Sequence, residues 1–139
     1  YDLNNVHITA AKYAPNANAT HQNLVGQYAA DFAKENRNNE VLINVWGYDP
    51  NWTVSVTENG QPLAVQRVTS FDPLHIISYA MKRINVNAVP TFDASNSSHM
   101  FKAKASSATS TLQIRVTDRF GKVYTEDMER PKAFNYATH

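Results

Sequence analysis

Cysteine is absent from the 139 residues of this sequence. A chain without cysteine can form no disulfide, no zinc site with thiolate ligands and no cysteine nucleophile. Glycine is also scarce, and none of the four glycines belongs to a glycine-rich phosphate loop or to a Gly-x-Ser-x-Gly nucleophile elbow. These absences exclude several common classes of enzyme.

An excess of charge of one sign is absent as well. Thirteen Lys and Arg stand against twelve Asp and Glu, and the two signs are interspersed along the chain. Proteins that bind nucleic acid or anionic membranes normally carry a basic stripe, so we expect neither partner. No run of eighteen apolar residues and no signal-peptide pattern occurs, and we expect no membrane span. The start at Tyr1 rather than Met predicts a processed protein or an excised fragment.

What the sequence does contain, from residue 41 onward, is period-two alternation. The alternation puts two sets of residues each on one face of a strand: Val41, Ile43 and Val45, and then Trp52, Val54 and Val56. Such alternation is typical of half-buried strands in an antiparallel sheet. Asn59-Gly60 predicts a tight hairpin turn that leads into a partner strand over residues 63–69.

Three more strands are predicted over residues 99–105, 111–118 and 122–128. The last two are joined by a predicted turn at Arg119-Phe120-Gly121, in which the glycine takes positive φ. Between the two groups of strands, Asp72-Pro73 supplies a helix cap and a proline at the first helical position. We therefore predict one amphipathic helix over residues 73–83.

The two ends of the chain have weaker patterns. Residues 4–13 resemble a strand. Residues 24–40 fit either a strand or a helix with Leu24, Tyr28 and Phe32 on one stripe, and their alanine content favours the helix. The tail after residue 131 is expected to pack through Phe134 or to fray.

Together these elements predict a mainly β protein. We expect an antiparallel β-sandwich, immunoglobulin-like, of about six to eight strands with one or two short helices. The length suits a single domain over residues 1–139, and neither an internal repeat nor a long linker divides it.

Catalytic and metal-binding signals are lacking. The histidines are scattered, and the nearest pairing of ligands joins His75 to Asp72, whose carboxylate is already expected to cap a helix. Glu126 and Asp127 should face opposite ways on their strand, which is the pattern of a solvated edge strand rather than of a catalytic carboxylate pair. We therefore predict no catalytic residue, no metal ligand and no cofactor-binding residue.

The most unusual composition is the stretch WGYDPNW, residues 46–52. Its centre, residues 49–51, has strong turn chemistry. The rings of Trp46, Tyr48 and Trp52 form the candidate interaction surface. They either close the end of the sandwich core or form a stacking platform for a sugar ring or a neighbouring domain. Alternation assigns Trp52 to the core and does not decide between the two roles for Trp46.

Four segments carry a resemblance to a known family: NVWGYDPNWTVSVTENG, FDPL, HMFKAKAS and TDRFGKVYTEDMERPKAF. In this order they are similar to the C-terminal domain that follows the catalytic domain of bacterial calcineurin-like metallophosphoesterases. The resemblance covers about residues 40–134. Residues 16–39 lie outside it and are expected to be peculiar to this member.

The resemblance implies a division of labour within a larger protein. Enzymes of this class hold two divalent metal ions with Asp-x-His, Gly-Asp-x-x-Asp, Gly-Asn-His and Gly-His-x-His motifs, none of which occurs in this sequence. The implied role is that of a non-catalytic accessory domain whose partner is the parent's own catalytic domain, with the metals held there. The resemblance also implies export to the periplasm or surface of a bacterium. A carbohydrate- or wall-binding module and a homo-oligomerisation domain are the alternatives.

Overall fold

The computed structural model describes residues 1–35, 38–91 and 96–135. Within these ranges the chain forms seven strands: β1 (Glu40–Asn44), β2 (Thr53–Glu58), β3 (Gln61–Leu63), β4 (Val65–Phe71), β5 (Asn96–Lys104), β6 (Leu112–Thr117) and β7 (Val123–Met128). One sheet has the order β1-β5-β4 and the other has the order β3-β2-β6-β7. Every strand pair is antiparallel.

This strand order is that of an immunoglobulin-like sandwich. Strands β1, β5 and β4 take the places of strands B, E and D, and β3, β2, β6 and β7 take those of C′, C, F and G. The predicted mainly β, antiparallel sandwich is confirmed. Edge strands β1 and β7 end the two sheets on one side of the sandwich, and β4 and β3 end them on the other.

The two faces of β1 serve two separate cores. Val41 and Ile43 lie in the core between the sheets, together with Val56 of β2, as the alternation predicts. Leu42 points the other way, into a second core beneath a layer of helices. The three-stranded sheet is therefore buried on both faces, which explains why β1 is apolar at consecutive positions.

The helical layer is larger than the one or two helices expected from the sequence. Its segments are two 3₁₀ turns (Leu3–Asn5 and Ala30–Ala33), α1 (Ala10–Tyr13), α2 (Ala19–Gln22), α3 (Val25–Ala29), and a continuous helix made of α4 (Pro73–His75), the π-helical turn Ile76–Ala80 and α5 (Met81–Asn85). The predicted helix over 73–83 is confirmed. Asp72 caps it by accepting a hydrogen bond from the backbone N–H of Leu74, at 2.9 Å.

The strand predicted over residues 4–13 is wrong. After the first 3₁₀ turn, Val6 and Ile8 run extended into the helical core, and Thr9 then caps α1 by accepting a hydrogen bond from the backbone N–H of Lys12, at 3.3 Å. The helix favoured for the segment after residue 24 is present as a short one, and Phe32 is buried at its end. In the tail, Phe134 packs edge-on to Tyr1, with ring centroids 6.0 Å apart, as predicted.

The turn of the predicted hairpin is correct, but the partner strand predicted over residues 63–69 is wrong, because the strand that pairs with β2 is β3, Gln61–Leu63. Asn59 and Gly60 both take positive φ, yet the partner strand of β2 ends at Leu63. The chain then crosses to the other sheet, where β4 pairs with β5. Val65 still packs on the core between the sheets, whereas Val68 packs on the helical core.

Candidate functional site

The stretch WGYDPNW leads from β1 into β2 through a tight turn, as the sequence predicts. The Asp49 side chain accepts a hydrogen bond from the backbone N–H of Asn51 at 2.8 Å, and its carbonyl accepts one from the N–H of Trp52 at 2.9 Å. Gly47 has a φ of +74°, a conformation that favours glycine. The turn places the three rings of the candidate interaction surface in different environments.

Two of these rings are held against the protein. Trp52 is half-buried on the core between the sheets. Tyr48 is half-buried as well, edge-on to Phe101 with ring centroids 5.0 Å apart, and the Arg67 guanidinium lies over it at 4.8 Å. Trp46, by contrast, is 72% exposed. The three rings therefore do not form one exposed platform, and the solvent-facing part of the predicted surface is Trp46.

An open groove of about 470 Å³ lies between edge strands β1 and β7. Apolar residues of the core between the sheets line it: Ile43, Val45, Ile114 and Val116. Trp46 and Tyr124 also line it, and Tyr124 is 47% exposed. We call this feature the edge groove. The sequence reasoning missed Tyr124, although an aromatic residue on an otherwise charged edge strand is an unusual pattern.

A second cavity, of about 360 Å³, shares Asn44 and Trp46 with the edge groove but is lined mostly by polar residues. Its other lining residues are Asn44, Asp72, His75, Asn96, Ser97, Ser98 and His99. We call it the polar pocket. The indole of Trp46 lies beside the His99 imidazole, with ring centroids 5.7 Å apart and planes tilted by 41°.

Hydrogen bonds fix the carboxylate of this pocket. Asp72 Oδ1 accepts from the Tyr1 hydroxyl at 2.6 Å, and Oδ2 accepts from Asn44 Nδ2 at 3.0 Å. Burial, together with the bond to Asp72, raises the pKa of the Tyr1 phenol well above its ordinary value. Tyr1 therefore stays protonated and remains a donor to Asp72.

Two side-chain atoms at the pocket lack such partners. Asn44 Oδ1 and His99 Nδ1 are both buried, and neither has a hydrogen-bond partner within the described ranges 1–35, 38–91 and 96–135. Buried polar atoms of this kind are uncommon in folded proteins and call for an explanation.

The carboxylates on β7 do not act together. Glu126 lines the edge groove and lies 3.9 Å from the Lys132 ammonium, whereas Asp127 accepts a hydrogen bond from Gln113 at 3.5 Å. They face opposite ways on an exposed edge strand, as predicted.

The residues that the structure describes do not fit the metal pair of the calcineurin-like class. In the part of the chain that the structure describes, no three His, Asp or Glu side chains are grouped as metal ligands. Among the same residues, every helix is too short or too polar to cross a membrane.

The chain was compared with known proteins in three ways. A family model described as the C terminal of calcineurin-like phosphoesterase matches residues 1–124. The match includes residues 16–39, which the motif resemblance left out. Neither the search of curated proteins nor that of solved structures gave a match. Because the family model covers most of its length, the chain belongs to the family of C-terminal domains of calcineurin-like phosphoesterases.

Proposed function

We propose that this chain is the non-catalytic C-terminal domain of a metal-dependent phosphoesterase and that it packs against the catalytic domain of the same protein. One observation carries the proposal: the family match spans residues 1–124, while the described residues group no set of three metal ligands. Hydrolysis of a phosphate ester by this class needs two divalent ions to activate water. In the proposed arrangement the catalytic domain holds both ions.

The edge groove is the surface that best suits the catalytic domain. Its walls are mostly apolar, and Trp46 and Tyr124, which line it, are exposed. Aromatic residues are enriched in the centres of protein interfaces, where they bury a large area at a low cost in side-chain entropy. A docked domain would also cover β7, whose outer edge carries backbone groups able to pair with another strand. The outer edge of β1 is already hydrogen-bonded to the N-terminal segment, through Leu42 and Tyr1.

This docking would place the catalytic domain next to the polar pocket. Trp46 lines the edge groove on one side and the polar pocket on the other. A catalytic domain seated on the groove would therefore approach the pocket as well. In this way the accessory domain would shape the path by which substrate reaches the metal centre.

The first test concerns catalysis. The purified 139-residue chain is incubated with p-nitrophenyl phosphate and added Mn²⁺, Zn²⁺ or Fe²⁺. We expect the phosphate ester to be hydrolysed no faster than in buffer alone. Turnover that stays with the protein through two orthogonal chromatography steps would overturn the non-catalytic assignment.

The second test concerns docking. Hydrogen exchange is measured for the isolated chain and for a protein in which this chain follows its catalytic domain. We expect added protection in β1 and β7 and none in β3 and β4, the edges on the other side. Protection confined to β3 and β4, or no added protection, would contradict the docking. A stable dimer of the isolated chain that is lost on Tyr124→Ala would instead assign the groove to a second copy.

A further inference from the structure

We propose that the polar pocket beside Trp46 binds a neutral sugar ring. The inference stands apart from the accessory role proposed above, because it rests only on the geometry of the pocket. It also differs from the three-ring platform that the composition of residues 46–52 indicates, since it uses Trp46 without Tyr48 or Trp52.

Trp46 supplies the stacking surface. Trp46 is 72% exposed and also lines the pocket, so one side of its ring is open to a ligand. Its position is defined by the His99 ring 5.7 Å away and by the adjacent backbone, where the N–H of Val45 donates to the carbonyl of His99 at 3.0 Å. A pyranose has a face made of C–H groups, which packs on an indole while its hydroxyls point outward.

Asn44 and Asp72 supply oriented hydrogen-bonding groups. The carboxylate of Asp72 is fixed by donors from Tyr1, Leu74 and Asn44, so it is oriented before any ligand arrives. Sugar hydroxyls both donate and accept hydrogen bonds, and planar side chains such as carboxylate, amide and imidazole can match them in pairs. All three side-chain types line the pocket.

The buried atoms without partners point to a polar occupant. Asn44 Oδ1 and His99 Nδ1 have no hydrogen-bond partner in the described part of the chain, and both residues line the pocket. An apolar ligand would leave these side chains unsatisfied. A ligand rich in hydroxyls brings hydrogen-bonding groups to the side of the pocket where these two atoms lie.

The charge and the size of the polar pocket limit which ligands fit it. The described lining residues include one carboxylate, Asp72, and neither Lys nor Arg, so a phosphate group would find neither of the cations that usually pair with it. The three donors to Asp72 offset its charge, which weakens its attraction for a cation. A volume of about 360 Å³ lies at the small end of the range for ligand pockets. One neutral ring stacked on Trp46 fits these limits.

The experiment is an NMR titration of the ¹⁵N-labelled 139-residue chain. The probes are the methyl glycosides of glucose, galactose and mannose, N-acetylglucosamine and cellobiose, each added to about 50 mM, near the weak end of affinities that such a titration can follow. We expect saturable shifts of the Trp46 indole N–H and the His99 amide with at least one neutral sugar. Trp46→Ala should weaken that binding at least tenfold, and Phe120→Ala, which removes an exposed ring that lines neither the pocket nor the edge groove, should leave it unchanged.

The same spectra report whether each variant is folded, so that lost binding is not confused with lost structure. His99→Gln provides a second variant inside the pocket and should also weaken binding. The proposal is overturned if no neutral sugar in the panel binds saturably, or if Trp46→Ala binds as well as the parent chain. Glucose 6-phosphate and choline are titrated in the same way as charged comparison ligands, and the proposal is also overturned if either binds more tightly than every neutral sugar.

Discussion

The carboxylate of Asp2 lies 3.7 Å from Nε of Arg130, and neither side chain is exposed to solvent. The pair joins the first residues of the chain to the segment after β7. Asp2 also accepts a hydrogen bond from the backbone N–H of Lys132 at 3.1 Å, and Arg130 Nη1 donates to the Ser107 carbonyl at 2.8 Å. The N-terminal segment is therefore tied to the sandwich by charged groups as well as by its apolar residues.

Arg130→Met should destabilise the chain by about 3–5 kcal/mol, because it leaves the Asp2 carboxylate buried without its counter-charge. The free energy of unfolding is measured by urea denaturation. Adding Asp2→Asn to Arg130→Met should recover part of the loss. The matched control is Lys34→Met, which removes an exposed ion pair with Asp31 and should cost about 0–1 kcal/mol. Equal losses for the two single variants would show that the buried ion pair contributes no more to the free energy of unfolding than the exposed one.

Glu58 should make stability depend on pH in the acid range. A hydrogen bond from the Ser110 hydroxyl at 2.5 Å, and then one from the Ser106 backbone N–H at 2.9 Å, hold the pKa of the Glu58 carboxyl below its ordinary value. Because the pKa is lower in the folded state, this contribution is present above the unfolded pKa and is lost as pH falls through the folded pKa.

The measurement is the urea midpoint of the parent chain and of Glu58→Gln between pH 7 and pH 3. We expect Glu58→Gln to be less stable at pH 7, and the gap between the two proteins to narrow as the pH falls. A gap that stays constant over this range would mean that the ionised carboxylate does not favour folding.

Much of the sandwich could be predicted because local chemistry and the final packing agree. In β1, Val41 and Ile43 alternate onto the core between the sheets, and the turn at Asn59 and Gly60 has the positive φ that its residues favour. The departures have local causes. The four-residue helix α1 is too short to show a helical period, and a bulge between Val68 and Ser70 reverses the alternation of β4.

The site was predicted only in part, because it is assembled from distant parts of the chain. Trp46 was found from its composition alone. The register of β1 and β5, which sets Asn44 opposite Met100, brings His99 beside Trp46, and the helix cap Asp72 joins them through its bond to Asn44. No sequence spacing encodes contacts between such distant positions. Asn44 could have been found, because a polar residue in an apolar strand indicates a candidate site residue.

Gly60 and Gly26 should respond in opposite directions to alanine. Gly60 has a φ of +77°, which a residue with a Cβ adopts only with strain, so Gly60→Ala should destabilise by about 1 kcal/mol. Gly26 lies in α3, and a Cβ there would meet nothing within 4 Å among the described atoms. Gly26→Ala should therefore stabilise by about 0.5–1 kcal/mol through helix propensity. Thermal denaturation of both variants measures the two changes in stability. A Gly26→Ala variant that is less stable than the parent chain would contradict the described helix.

The two tryptophans should contribute differently to stability, because Trp52 packs on the core and Trp46 faces the solvent. Trp46 is 72% exposed, so Trp46→Ala should change the free energy of unfolding by no more than about 0.5 kcal/mol. Trp52 packs on the core between the sheets, and since it is half-buried, Trp52→Ala should cost about 2 kcal/mol, roughly half of the full core value. Urea denaturation, followed by far-UV circular dichroism so that the readout does not depend on either indole, gives both values. A cost for Trp46→Ala as large as that for Trp52→Ala would mean that Trp46 closes this domain's own core, and would remove the reason to assign it to a ligand or to a neighbouring domain.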